Sequence, residues 1–82
     1  MSDMTGERNS IFYRDGDVWM RYWHNFDPNT LAKEIDAIRM VHGEFSAVLV
    51  IKWMPDYPGP PTSLSDSGLS DYLKLLKSLK RI

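Results

Sequence analysis

An α/β fold with a small mixed sheet, its elements in the order strand, strand, helix, strand, helix, is predicted by three observations in this chain of 82 residues. The segment from Ala47 to Trp53, Ala-Val-Leu-Val-Ile-Lys-Trp, is almost wholly apolar and rich in β-branched residues. Such a run reads as a central strand covered on both faces. Two aromatic runs flank Asp15-Gly16-Asp17, the pattern of a hairpin closed by a glycine. Apolar residues at helical spacing form one stripe before the Val/Ile-rich segment and another after it.

The polar opening, residues 1–9, has no period and is expected to be a flexible arm, with residues 10–82 forming a single domain. In the hairpin, Ile11 to Arg14 and Val18 to Trp23 are the strands. Simple alternation puts Val18, Met20 and Tyr22 on one face and Trp19, Arg21 and Trp23 on the other. Asp27 caps a helix that starts at Pro28, where the missing N–H is harmless. Leu31, Ile35, Ile38 and Val41 form its apolar stripe, and Gly43 stops it. Residues 54–64 hold four prolines and are expected to be an irregular surface loop. A second helix follows, with Leu69, Tyr72, Leu73, Leu76 and Leu79 on its apolar side. Asp66 and Asp71 near its start and Lys74, Lys77, Lys80 and Arg81 toward its end agree with the helix dipole. A right-handed crossover would make the strands ending at Trp23 and Trp53 parallel. Their carboxyl ends would then gather His24, Asn25, Asp27, Asp56 and the turn Ser65 to Gly68 on one rim.

Composition excludes several function classes. With 43% apolar and 26% charged residues the chain is that of a folded domain, and its net charge of −1 argues against nucleic acid as a partner. Cysteine is absent, which removes thiolate chemistry and sulfur-ligated metals. The two histidines have no spacing to acidic residues that suggests a metal site, and no cofactor motif is present. No apolar run reaches the ~18 residues of a membrane span, and the opening lacks a signal core, so a cytoplasmic protein is expected.

From the hairpin, the polar turn ending in Asp27, the amphipathic helix, the apolar strand and then Ser65-Asp66-Ser67-Gly68-Leu69 opening a Leu-rich helix, the chain resembles the STAS domain of anti-anti-sigma factors. In that family an Asp-Ser-Ser/Thr-Gly-Leu turn opens the helix after the central strand, and its second hydroxyl residue is phosphorylated by a partner kinase that is also an anti-sigma factor. The resemblance implies that Ser67 is the phosphoacceptor and that His24-Asn25-Phe26-Asp27 stands for the family's Gly-Glu-Leu-Asp. It implies a non-catalytic regulator whose partner meets Ser65, Asp66, Gly68, Leu69, His24, Asp27 and Asp56. Lys52 stands near where the family commonly has an acidic residue, and the Pro-rich loop is longer than usual. The chain also stops before the final strand and helix of a complete domain. A strand left without that neighbour has an open edge, and pairing through it as a homodimer or heteromer is expected.

Plainer and rival readings stand beside this one. Ser67 or Ser65 serves equally as a helix cap. A His24, Ser67 and Asp56 triad lacks any nucleophile-elbow motif, so no enzyme is expected. A small inhibitor or accessory protein, such as a phage or mobile element encodes, would bind a larger machine without a switch. Phe12, Arg14, Trp19, Arg21 and Trp23 could stack single-stranded nucleic acid, or serve as core rings edged by arginines.

Overall fold

In the computed structural model, which describes residues 8–55 and 58–80, the chain runs β1 (Arg8–Asp15), β2 (Val18–His24), a 3₁₀ turn (Pro28–Thr30), α1 (Leu31–His42), β3 (Val48–Trp53), β4 (Ser63–Ser65) and α2 (Asp66–Lys80). The strands make one four-stranded sheet in the order β3-β1-β2-β4. Every neighbouring pair is antiparallel. The fold is mixed α/β, but the sheet is not the mixed one expected. Its fourth strand, β4, lies at the end of the Pro-rich loop, where a three-residue Ser-Leu-Ser alternation is too short to register as a period.

The central strand is β1, not the Val/Ile-rich segment. Ser10, Ile11 and Phe12 are 0% exposed, whereas among the residues of β3 only Ile51 is fully buried. An edge strand flanked by a helix on each face is as apolar in sequence as a central one, so composition alone pointed to the wrong strand. Because β2 and β3 are both antiparallel to β1, they do run in the same direction, but β1 lies between them.

Alternation along β1 divides the core into two layers. Phe12 packs with Ile51 and with Leu69, Tyr72 and Leu76 of α2, while Trp19, Leu49, Trp53 and Leu64 lie around them. On the opposite face Ile11 and Tyr13 pack with Phe26 and with Ile38 of α1. Gly16 sits at φ +68° in the first turn position, where the hairpin's twist requires a positive φ. Asp27 accepts the Asn29 N–H at 3.0 Å and so caps the 3₁₀ turn that leads into α1, and Gly43 at φ +80° ends that helix. Val41, expected on the apolar stripe, is 70% exposed. Its place is taken by His42, whose ring stacks on Tyr13 with centroids 4.9 Å apart.

One irregularity redirects the aromatic residues. Ile11 pairs with Trp23 and Phe12 with Arg21, which leaves Tyr22 as an extra residue in β2, a β-bulge. Alternation therefore shifts by one position, so Trp23 joins the α1 face beside Phe26, at 6.4 Å between centroids, instead of sharing a face with Trp19 and Arg21. Asn25 then takes φ +69°, which asparagine tolerates, and the chain turns Phe26 back under the sheet, where its N–H donates to the Asn9 carbonyl at 2.7 Å.

Candidate functional site

The serine turn begins directly at the end of β4. Ser65 Oγ accepts the Gly68 N–H at 3.1 Å, so Ser65 is the cap of α2. Ser67, in the first turn, is exposed, with its Oγ 3.3 Å from that of Ser65. A Cβ on Gly68 would lie 3.2 Å from the Ser65 Oγ, so the glycine keeps room for the cap. Asp66 accepts from Arg14 Nη2 at 2.7 Å and from Trp19 Nε1 at 2.9 Å. The Arg14 hydrogen bond, then that of Trp19, holds the Asp66 carboxyl below its ordinary range. Two sheet side chains thus pin the start of α2 to the sheet.

The expected rim does not assemble. Since β4 runs antiparallel to β2, Ser65 lies beside Val18 at the opposite end of the strand from His24. Six residues of strand at about 3.3 Å each keep the serine turn roughly 20 Å from His24. Asp27 is engaged as a cap, Leu69 is in the core, and Asp56 lies outside the described residues, as do residues 1–7 of the opening arm. Arg8 and Asn9, placed in that arm by the sequence, are part of β1.

Nor do the five aromatic and arginine residues form one open platform. Phe12 is buried beneath α2, Arg14 and Trp19 hold Asp66, and Trp23 faces the other way. Arg21 donates to the Pro60 carbonyl at 2.9 Å and fastens the Pro-rich loop to the sheet. Tyr72 donates to the Pro58 carbonyl at 2.8 Å, and burial pushes its phenol up to about 12.

At the other end, His24 and Trp53 lie with ring centroids 4.8 Å apart, beside Gly59 of the loop. Trp53 Nε1 donates to the fully buried Ser10 Oγ at 3.0 Å, and Ser10 Oγ is 3.3 Å from His24 Nδ1. Burial first, then Arg21 and Arg8, lowers the His24 pKa. In the tautomer that carries its proton on Nε2, the neutral ring accepts a hydrogen bond from the Ser10 hydroxyl at Nδ1. With Ser10 fully buried, this trio secures the end of the sheet and offers no nucleophile to a substrate.

The outer edge of β3 is unpaired among the described residues. Arg14 donates to the Ala47 carbonyl at 2.9 Å, and two-residue alternation from there turns the backbone groups of Leu49, Ile51 and Trp53 toward β1. The N–H and C=O groups of Val48, Val50 and Lys52 accordingly point outward, where no strand of the described residues pairs with them. A groove of about 460 Å³ opens beside this edge, between Val50, Ile51 and Lys52 of β3 and Leu73, Lys74, Leu76 and Lys77 of α2. Sequence reading foresaw an open edge on this segment. That Lys52, Lys74 and Lys77 share its groove was not visible, because they belong to two elements whose packing brings them together.

Among the described residues no group of three or more histidines, aspartates and glutamates could hold a metal, and no helix is long and apolar enough to cross a membrane. Comparison with family models, with curated proteins and with solved structures finds no match to this chain.

Proposed function

We propose that the protein is a non-catalytic protein-binding module that takes an extended segment of a partner along the outer edge of β3. The observation that carries this reading is the row of outward backbone groups at Val48, Val50 and Lys52 opening onto a groove. Strand addition supplies affinity through main-chain hydrogen bonds and specificity through the side chains on either face. The same docking mode suits an inhibitor that occupies a larger machine.

Val50→Pro tests it. Proline there removes one outward donor while leaving the inward ladder to β1 intact, which an edge strand tolerates. With a photo-crosslinking residue at Lys52, the wild type is expected to capture a partner in its native host and Val50→Pro to lose it with the fold retained. The same partner captured equally by Val50→Pro, or by a crosslinker at Lys33 on α1, would refute edge docking.

A second reading, the serine switch implied by the STAS resemblance, is favoured by the exposure of Ser67 in the first turn of α2. A phosphate at that position would meet the free N–H groups and positive dipole of the helix start, against repulsion from Asp66. Incubation with the host's kinases is expected to add phosphate to the wild type and none to Ser67→Ala. An unchanged intact mass in the wild type would remove the switch.

A further inference from the structure

We infer that the segment received by the β3 edge is acidic: an extended stretch of another protein, with apolar residues at alternate positions and carboxylates between and beside them. This rests on the reading of β3 as a docking edge and adds the chemistry of what docks.

The groove carries a charge opposite to that of the chain. Net charge is −1 overall, yet Lys52, Lys74 and Lys77 line the groove and, among the described residues, no acidic one does. Among the described residues none of the three is paired with a carboxylate, the ion pairs being Arg14–Asp66 and Arg39–Asp36. Lys74 and Lys77 are three residues apart on α2, so both reach the same side of the helix. Lys52 borders the groove at the edge of β3, paired with Asn9 and so on the opposite face of the strand from Ile51. Between the lysines lies an apolar floor of Ile51 and Leu76, with Leu73 39% exposed above it.

A strand laid beside β3 would place alternate side chains toward α2, onto Ile51, Leu73 and Leu76. The intervening positions, on the other face, would come beside Lys52, which alternates onto that side, and the α2-facing positions flanking the apolar ones would come within reach of Lys74 and Lys77; at each, carboxylates gain and lysines or arginines lose. Charge also decides against a second copy of this chain. Two β3 edges paired about a twofold would bring both sets of three lysines to one seam, and like charges brought together across strands destabilise the pair. Against nucleic acid stand the absence, among the described residues, of any aromatic ring in the groove lining and the outward peptide groups, which match another peptide backbone and not a base.

The test uses the full chain and synthetic peptides of about eight residues, a usual strand length. One alternates valine with glutamate, one valine with lysine, and one is the glutamate peptide with proline at every second valine. Amide shifts of Val48, Val50 and Lys52 report binding. The glutamate peptide is expected to move them, to bind more weakly as salt rises, and to lose about tenfold in affinity to the combined Lys52→Glu, Lys74→Glu, Lys77→Glu variant, with Lys→Gln at the same positions losing less. The lysine and proline peptides are expected not to bind. Equal binding of the glutamate and lysine peptides at those amides would overturn the acidic partner and leave edge docking standing. No binding by any peptide would overturn both. Tighter binding of a single-stranded oligonucleotide than of the glutamate peptide, or a dimer by sedimentation that buries β3, would overturn the inference in favour of those occupants.

Discussion

Phe12→Ala is expected to leave too little stability for a folded population at room temperature. Phe12 is fully buried in the central strand and packs at once on Ile51 of β3 and on Leu69, Tyr72 and Leu76 of α2. Truncating such a ring costs about 3–5 kcal/mol, lost contacts and residual cavity together. A domain of this size has roughly 4–12 kcal/mol in all, with small single cores at the lower end. Urea titration followed by tryptophan fluorescence should show no native baseline for Phe12→Ala, while Phe12→Leu retains one at a lower midpoint. A midpoint for Phe12→Ala within error of the wild type would mean that β1 is not the strand on which the α2 layer depends.

Ser10→Ala is expected to cost about 1–3 kcal/mol, because it removes the acceptor of a half-buried indole N–H and the donor to His24 together. The serine has one proton and two lone pairs. With His24 neutral and Nδ1 the unprotonated nitrogen, Trp53 donates to the oxygen and the hydroxyl donates to Nδ1, so the proton and one lone pair are used. A proton on Nδ1 would turn that nitrogen into a donor and leave the hydroxyl proton of a fully buried serine without its acceptor. The sign of the pH dependence follows. His24 has its pKa lowered in the fold, so the unfolded chain binds its proton first, and stability drops as pH falls below the ordinary value of 6.5 toward the folded one. Denaturation midpoints from pH 8 to 5 should fall for the wild type and fall less for His24→Asn. Parallel curves for the two would show that the trio does not sense the proton.

Much of the architecture was legible from local chemistry, because each feature was announced by residues close together in the chain. Gly16 marked the hairpin, Asp27 and Pro28 the turn into α1, Gly43 its end, and the Leu-rich stripe the face of α2. What escaped notice depends on partners distant in sequence. The Val/Ile-rich run could not reveal whether a strand or solvent lay beyond it. The bulge at Tyr22 leaves no mark in composition, yet it moves Trp23 across the sheet. Arg14 and Trp19 looked like a ligand surface and proved to be ties to Asp66, more than forty residues away. The rim failed for one reason: the Ser63–Ser65 strand brings the serine turn to the wrong end of β2.

The extra residue in β2 has an economy of its own. A ribbon with strict two-residue repeat must show the same side chains to the same face from end to end, but one inserted step lets its first half address the carboxyl-terminal helix with Trp19 and its second half turn Trp23 to the opposite face beside Phe26. By the same step His24 comes round beside Ser10 and Trp53. A frame shift of one residue thus lets a seven-residue strand furnish an indole to each side of a protein too small to spare two strands for the task.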